Sequence, residues 1–414
     1  MPADPRRTDR ELDLIVYGAT SFVGQLTVAH LARRVADGAE LRWAIAGRNA
    51  QKLAGVASDH DLGDDVAQLV ADAADRAALD ELAARTRVVV STVGPYATYG
   101  SDLVAAVADA GTDYCDLTGE PQWIARMIDA HHDRAAETGS RIVHCCGFDS
   151  IPSDLGVWFT QQQAIERFGT HCQSVSYRLI GASGTASGGT IASGMNMVEE
   201  AAADPEIAKL VGDPFALMPE GVEPGVRQDD ITIARRDDAA EGWIAPFVMA
   251  AINTKIVHRS HALLGRPWGD DFRYDEAMAM GAGPLGAAKA AGVGSAMVSF
   301  MAISSLGPAR RLIGRFLPEP GTGPSPEQQE KGYFTVRLYG RTADGDRITT
   351  EVTGDRDPGY GSTAKMLAET AWLLADTSPD ESGAPGSTTP AAVLGAPLVD
   401  RLVDHAGLTF DVVD

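Results

Sequence analysis

A glycine-punctuated turn near the start of the chain has residue types and a spacing that suit dinucleotide binding. The apolar run Leu14–Tyr17 leads directly into Gly18, and small residues then lead to Gly24 at the predicted start of a helix. Such a turn brings backbone N–H groups to the positive end of a helix, where they bind a pyrophosphate. Ser21 stands where this motif more commonly has glycine, and it can make the turn if its φ is negative. The expected cofactor contacts here are Gly18, Ala19, Thr20, Ser21, Phe22, Val23 and Gly24.

The end of the next apolar segment indicates which dinucleotide is bound. Arg42–Ala46 is followed by Gly47 and Arg48, where an NAD-specific site would carry an acidic residue for the ribose 2′-hydroxyl. A guanidinium suits a 2′-phosphate instead, because it is permanently charged and donates several hydrogen bonds. The sequence therefore predicts NADP(H), with Arg48 and Asn49 among the cofactor contacts.

Two further strand ends are predicted to reach the same crevice. The fourth strand ends at a Gly-Pro pair where a nicotinamide ring would lie, and the segment after the sixth strand carries Gly147, Asp149 and Ser150 to the same edge. The expected cofactor contacts at this edge are Thr92, Val93, Gly94, Pro95 and Asp149. Tyr96 is the first candidate for a donor to a substrate carbonyl, followed by Tyr99 and Ser150, and packing is the alternative role for the tyrosines. Asp149 could orient a carboxamide, relay a proton or cap the next helix.

The first half of the chain alternates short apolar segments with helical ones. Predicted strands are Leu14–Tyr17, Arg42–Ala46, Ala67–Val70, Val88–Thr92, Tyr114–Leu117 and Arg141–Cys145. Predicted helices are Val23–Ala36, Asn49–Val56, Asp75–Ala84, Ser101–Ala110 and Pro121–Thr138. This rhythm is typical of an α/β fold with a doubly wound parallel sheet, in the order 3-2-1-4-5-6. We assign residues 1–172 to this Rossmann domain.

After about residue 172 the pattern changes. Ser174–Ile180 alternates like a strand, and Phe334–Tyr339 with Arg347–Val352 predicts an antiparallel hairpin. Residues 173–355 therefore form a predicted α+β domain with a largely antiparallel sheet, and residues 356–414 a C-terminal part that returns to the first domain. The small residues before Thr190, a good N-cap for a helix from about Ile191, suit either a second anion- or thioester-accepting loop or a flexible connection.

Composition excludes several classes of protein. The formal charge is −22, from 35 basic and 57 acidic residues, which disfavours nucleic-acid binding. The four cysteines form no C-x-x-C motif, and Cys145 with Cys146 is predicted to be a pair of buried thiols. No His, Cys and carboxylate set has familiar metal-ligand spacing, so no metal is predicted. No secretory signal opens the sequence, and we expect a cytoplasmic protein.

One uncharged segment stands apart. Ala290–Leu306 has 17 residues without a charge, too short and too rich in Gly and Ser for a convincing membrane span. It is predicted to be a buried or substrate-covering helix. The alternative is an interfacial helix that makes a peripheral plasma-membrane contact through residues 290–315, where Arg310, Arg311 and Arg315 would touch lipid headgroups.

An ordered series of segments along the chain also resembles a known family. The series comprises residues 18–24, 46–49, 93–96, 114–120, 147–154 and 359–364. It is similar to the saccharopine dehydrogenase-like oxidoreductases, and within them to the mycobacterial trans-acting enoyl reductases. The resemblance implies an NADPH-binding Rossmann domain, a second α/β domain, and reduction of a carbon–carbon double bond in a polyketide or fatty-acyl lipid precursor made by a separate synthase. It also implies membrane or lipid-body association in some relatives.

Other functions stay open at this point. A saccharopine-type dehydrogenase would bind an amino-acid-derived substrate through several arginines of the second domain, and a non-catalytic NADP-binding lipid-associated protein is a third hypothesis. None of the six lysines has a tyrosine four residues before it, so the Tyr-x-x-x-Lys pair of short-chain reductases is absent from the sequence. A homodimer is a further expectation.

Overall fold

A computed structural model describes residues 10–184, 188–228, 230–304, 323–379 and 381–414. The strands in these ranges are β1 (Leu12–Tyr17), β2 (Trp43–Gly47), β3 (Ala67–Val70), β4 (Thr86–Ser91), β5 (Asp113–Asp116), β6 (Arg141–Val143), β7 (Cys172–Ser183), β8 (Arg235–Asp237), β9 (Gly242–Pro246), β10 (Arg273–Gly281), β11 (Tyr333–Thr342), β12 (Arg347–Gly354), β13 (Gly386–Thr388) and β14 (Leu408–Val412).

The helices between them cover both sheets. They are α1 (Phe22–Ala36), α2 (Ala50–Asp59), α3 (Arg76–Arg85), α4 (Tyr96–Tyr99), α5 (Ser101–Ala110), α6 (Pro121–Thr138), α7 (Ile151–Phe168), α8 (Gly188–Ala203), α9 (Pro205–Gly212), α10 (Ala250–Leu263), α11 (Gly283–Ser304), α12 (Pro326–Glu330), α13 (Thr363–Asp376), α14 (Pro390–Val393) and α15 (Gly395–Ala406). A π-helical turn, Pro358–Ser362, precedes α13.

The first sheet is the predicted doubly wound parallel sheet. Its order is β13-β6-β5-β4-β1-β2-β3, so the predicted order 3-2-1-4-5-6 is confirmed. Its central strands are nearly continuous apolar runs, as expected where helices cover both faces. One strand was not predicted: β13, from the C-terminal part, pairs in parallel with β6 at the edge of the sheet.

The second sheet is mostly antiparallel, in the order β14-β12-β11-β7-β10-β9-β8. The predicted hairpin is confirmed as β11 and β12. Elsewhere in this sheet, β7 and β10 form a parallel pair. The inner faces of β7, β10 and β11 pack against α7 and α10, which places this sheet beside the carboxyl end of β6.

Ionic contacts tie the C-terminal part to the first sheet. The fully buried Arg141 of β6 pairs with Asp113 and donates to the carbonyl oxygens of Leu374 and Thr377. Glu369 of α13 accepts from His30 of α1 at 2.6 Å. The last strand, β14, pairs instead with β12 of the second sheet. The domain limits 1–172, 173–355 and 356–414 stay a prediction.

The uncharged segment after Lys289 is helical but mostly exposed. In the part of α11 whose side chains are described, Gly286, Ala290 and Gly294 are the buried positions, whereas Leu285 and Val298 are 69% and 60% exposed. The described part of this helix is therefore not buried: a stripe of small residues seats it, and most of the other described side chains are exposed. The substrate-covering role stays a prediction. Residues 305–315 lie outside the described residues. Among the helices that are described, none has the length and apolar character to cross a membrane.

The start of α8 also differs from expectation. The helix begins at Gly188, so Thr190 lies inside its first turn and is not the N-cap. Residues 185–187 of the predicted anion-accepting loop lie outside the described residues.

Candidate active site

The turn between β1 and α1 has the close packing that its glycines require. Gly18 has a φ of +87°, and a Cβ there would lie 2.6 Å from Val93 Cγ2 and 2.7 Å from Thr92 Oγ1. At Gly24 a Cβ would lie 2.2 Å from the carbonyl oxygen of Gly18, so helix and strand approach more closely than any side chain allows. The first glycine therefore brings the turn against the end of β4, and the last keeps α1 against β1.

Ser21 occupies the position that is more commonly the middle glycine of this turn, and it does so without a positive φ. Its φ is −73°, and its hydroxyl oxygen accepts from Gly24 N at 2.9 Å as the N-cap of α1. The same oxygen lies 2.9 Å from Thr92 Oγ1, which joins the turn to β4. The N–H groups of Phe22 and Val23 have no intrahelical acceptor at this helix start, and they are suited to an anion. Ala19 is buried and Thr20 is half-buried beside them.

Arg48 directly follows the end of β2. Its side chain is exposed and makes no hydrogen bond or ion pair within the described part of the chain. Asn49 is the N-cap of α2, and its Oδ1 accepts from Lys52 N at 2.9 Å. The turn, the free helix start and this guanidinium together fit NADP(H), with Arg48 suited to the 2′-phosphate.

The residues after β4 lie beside the glycine turn, as predicted. Thr92 is nearly buried and its hydroxyl donates to Gly18 O at 2.9 Å, whereas Val93 and Pro95 are half-buried and Gly94 is exposed. Tyr96 is 4% exposed and its hydroxyl donates to the carbonyl oxygen of Ser91 at 3.0 Å. Burial, together with the charge of Asp116, raises the pKa of Tyr96 well above its usual range. With its proton already committed, Tyr96 fits a structural role better than the predicted catalytic one.

The other two predicted donors have different surroundings. Tyr99 is 44% exposed, and its hydroxyl has no hydrogen bond to any residue described here. Ser150 is 1% exposed and donates to Asn253 Oδ1 at 2.8 Å. The Ser150 proton is therefore held inside the protein, between α7 and α10, and Tyr99 is the predicted donor whose hydroxyl is accessible.

A buried polar network lies behind Ser150. Asn253 Nδ2 donates to Ser153 Oγ at 3.1 Å and to Glu276 Oε2 at 3.0 Å, which links α7, α10 and β10. Asp149 is half-buried just before Ser150, which is the N-cap residue of α7 but makes no side-chain capping bond. The three roles predicted for Asp149 stay predictions.

The structure brings in residues that sequence reasoning did not assign. The rings of Phe22 and Tyr360 meet edge to face with centroids 4.9 Å apart, so the π-helical turn lies against the start of α1. Thr363 Oγ1 accepts from Phe148 N at 3.0 Å, beside Asp149. Residues 359–364 were part of the family resemblance, but no local spacing indicated that they would lie at this crevice.

Glu120 is a third residue at this edge that the sequence did not assign. It is fully buried, and its carboxylate accepts from the backbone N–H groups of Tyr96 and Ala97. Acidic residues at a helix start are common, and here the carboxylate comes from a different loop than the helix it serves.

Metal chemistry has no support in the described residues, which contain no group of three or more His, Cys, Asp or Glu side chains able to hold an ion. All four cysteines are buried free thiols, as predicted for Cys145 and Cys146. Burial raises the pKa of the Cys145 thiol well above its usual range, which makes it a poor nucleophile.

Comparisons with known proteins agree with this geometry. Residues 14–143 match the family model described as the saccharopine dehydrogenase NADP binding domain. A protein assigned as a trans-acting enoyl reductase of Mycobacterium tuberculosis is 42% identical over 412 residues, which cover 95% of this chain and 96% of that protein. A trans-acting enoyl reductase of Mycobacterium bovis is 40% identical over 413 residues, with the same shares covered.

A solved structure shares the fold over the full length. Saccharopine dehydrogenase (L-Glu forming) from Saccharomyces cerevisiae superposes with a TM-score of 0.50 and 15% identity, covering 97% of this chain and 99% of that one. The chain therefore belongs to the trans-acting enoyl reductases, within the saccharopine dehydrogenase-like oxidoreductases.

Proposed function

We propose that this protein is an NADPH-dependent enoyl reductase that reduces a carbon–carbon double bond in a polyketide or fatty-acyl lipid precursor carried by a separate synthase. The observation that carries the proposal is the identity of 42% with a trans-acting enoyl reductase over 95% of the chain. The cofactor half of the proposal has its own support in the Gly18 turn and the exposed Arg48.

The reaction requires two contributions from the protein's own residues, a hydrogen-bond donor and a proton source. When bound, NADPH supplies the hydride that adds to the β-carbon of an enoyl thioester. Negative charge then develops on the thioester oxygen, which a positioned donor must stabilise, and the α-carbon must receive a proton. Residues 18–24, Arg48, Asn49, Thr92, Val93, Gly94, Pro95 and Asp149 are the proposed cofactor contacts.

Tyr99 is the proposed donor. Its hydroxyl is accessible, whereas Tyr96 and Ser150 donate to Ser91 and Asn253. Tyr99 also lies in the short helix that directly follows Gly94 and Pro95. A residue on that helix moves with the loop that borders the nicotinamide position, which suits a group that must stay aligned with the cofactor.

The surroundings of this edge favour an acyl substrate. Leu117 and Phe247 are half-buried and pack against both hydrophobic cores, and a Cβ at Gly119 would lie 3.5 Å from Met249 Cε. The loop after β5 and the segment after β9 therefore meet through apolar side chains. Such surroundings suit a hydrocarbon chain better than a charged amino acid.

Three arginines of the second domain are poorly suited to the saccharopine-type alternative, because each already has an acceptor. Arg178 pairs with Asp237 and Asp275, at 2.9 and 2.5 Å. Arg259 is buried and donates to the carbonyl oxygen of Ser387, and Arg266 pairs with Asp270 at 3.2 Å. Guanidinium groups that already have acceptors are not available for the carboxylates of an amino-acid-derived substrate.

The test compares substrates with the purified protein. Absorbance should follow NADPH oxidation with a long-chain enoyl thioester and, in a separate assay, NADP⁺ reduction with saccharopine. We expect turnover of the enoyl thioester alone. Turnover of saccharopine without turnover of any enoyl thioester would establish the alternative instead.

Location and assembly are part of the same proposal. The exposed face of α11, with Leu285 and Val298, is the described surface that a peripheral plasma-membrane contact would use. The predicted cytoplasmic location, the homodimer and the contact through residues 290–315 stay predictions. Flotation with anionic phospholipid vesicles tests the contact, and light scattering tests the dimer.

A further inference from the structure

One buried carboxylate joins the loops on either side of the proposed nicotinamide position. Glu120 follows β5, but its side chain crosses to the loop after β4. There Oε1 accepts from Tyr96 N at 2.9 Å, and Oε2 accepts from Ala97 N at 3.0 Å. These are the first two N–H groups of α4, so Glu120 caps the helix that carries Tyr99.

The same carboxylate reaches the second domain. Ser193 Oγ, on α8, donates to Glu120 Oε1 at 2.9 Å. Helix α8 follows β7 of the second sheet, whereas Glu120 belongs to the first. A single side chain therefore holds the cofactor-side helix α4 and the substrate-domain helix α8 together.

The burial of Glu120 makes each of these hydrogen bonds important. The side chain is 0% exposed and has no cationic partner within the described residues. A buried carboxylate without a counter-ion depends on its donors, and an unmatched lone pair there is costly. When α8 is in place, Ser193 supplies the third donor, so docking of α8 and ordering of the Tyr96–Ala97 turn favour each other.

A second contact between the same regions provides a control. Arg126 of α6 donates to Glu200 of α8 at 3.1 Å, with the arginine side chain half exposed to water. It also links α8 to the first domain, but it does not touch the loop after β4. Exposed pairs of this kind contribute little to stability.

We propose that Glu120 is a positioning residue for the reduction. Through its hydrogen bond with Ser193, Glu120 couples the docking of α8 to the order of the loop that presents Tyr99 beside the cofactor. The inference rests on the proposed function, because the coupling matters only if the loop after β4 borders bound NADPH. Glu120 and Ser193 then act by keeping Tyr99 aligned with the cofactor, and neither residue contacts the reacting atoms.

Hydrogen exchange of the full-length protein tests the coupling without turnover. We expect NADPH to slow amide exchange in residues 18–24, in residues 94–99 and, in the wild type, in α8 as well. In Ser193→Ala the slowing in α8 should be lost while that in residues 18–24 remains. In Arg126→Ala the slowing in α8 should persist. In Glu120→Gln the amide cannot accept at both positions, so the Tyr96 and Ala97 amides should exchange faster even without cofactor.

Kinetics provide the second readout. Ser193→Ala should raise the KM for the enoyl thioester about tenfold, as expected for loss of a hydrogen bond to a charged group, with the Kd for NADPH unchanged. Ser193→Thr, which keeps the hydroxyl, should restore the KM.

The outcomes separate the two proposals. Equal slowing of α8 by NADPH in the wild type and in Ser193→Ala would overturn the coupling and leave the enoyl reductase assignment intact. A KM for the enoyl thioester that is as high in Arg126→Ala as in Ser193→Ala would also overturn the coupling and leave the enoyl reductase assignment intact. No slowing by NADPH in residues 18–24 of the wild type would remove the cofactor assignment, and the coupling with it.

Discussion

The Tyr274 hydroxyl donates to Glu276 Oε1 at 2.5 Å, in the fully buried network that joins the second sheet to α7. Asn253 donates to the other carboxylate oxygen, and no cation pairs with Glu276 among the described residues. Burial raises the pKa of Glu276 to about 7, and the hydrogen bonds from Tyr274, Ser153 and Asn253 offset part of that rise. The charge of Asp275 also raises the pKa of Glu276, and Tyr177 on the neighbouring strand lies close enough to interact with the same carboxyl.

The raised pKa of Glu276 predicts a pH-dependent stability. The folded protein holds the proton more tightly than the unfolded chain, whose carboxyl has the ordinary pKa of 4.5. The stabilisation is therefore complete below pH 4.5 and is lost as the pH rises towards 7, by about 3 kcal/mol in total. Glu276→Gln does not titrate, so the stability of the wild type minus that of the variant should fall by this amount. Urea unfolding at several pH values measures it.

Arg48→Ala should change cofactor preference. Loss of a charged donor to the 2′-phosphate should raise the Kd for NADPH about 10- to 100-fold and leave the Kd for NADH within about twofold. Titration of cofactor fluorescence measures both constants. Arg33→Ala, an exposed arginine on the far turn of α1, is the matched control and should change neither. Equal losses for the two cofactors would remove Arg48 from the phosphate site.

Gly18→Ala should disrupt the phosphate turn, because the folded protein has no room for a Cβ there. The added Cβ would meet Val93 and Thr92, so the turn itself must move before any cofactor arrives. Gly38 also has a positive φ, +99°, but nothing lies within 4 Å of a Cβ there. We expect Gly38→Ala to cost about 1 kcal/mol of stability with NADPH binding intact. Gly18→Ala should cost more and weaken NADPH binding about tenfold or more, and normal binding by this variant would contradict the assignment.

Tyr96→Phe and Tyr99→Phe should have opposite signatures. Tyr96→Phe removes the hydrogen bond to Ser91 O in a buried site, so it should lower the free energy of unfolding by about 1–2 kcal/mol. Tyr99→Phe should leave stability unchanged and lower kcat about 100-fold, within the usual range for loss of an acid–base group. Thermal unfolding and steady-state kinetics on both variants decide the matter. A large loss of kcat in Tyr96→Phe at unchanged stability would restore Tyr96 as the donor.

Much of the first domain could be predicted because its signals are local. The helices Ser101–Ala110 and Pro121–Thr138 have the bounds that their start residues and apolar spacing predicted. Ser21 could be accepted in the glycine turn because its φ stays negative. The sequence left open whether α11 is buried or exposed, since an uncharged run has the same composition whether its neighbours cover all of its surface or one stripe of it.

What the sequence by itself determined is the order of the parallel strands and the glycine turn after β1, because apolar periodicity and glycine spacing act over a few residues. The charge at Arg48 predicted NADP(H) in the same local way. Tertiary structure alone decided that β13 pairs with β6, that the Tyr96 proton is committed to Ser91, and that Glu120 meets Ser193 from 73 residues away. Those contacts join segments distant in the chain, and their geometry depends on how whole sheets and helices pack rather than on any local pattern.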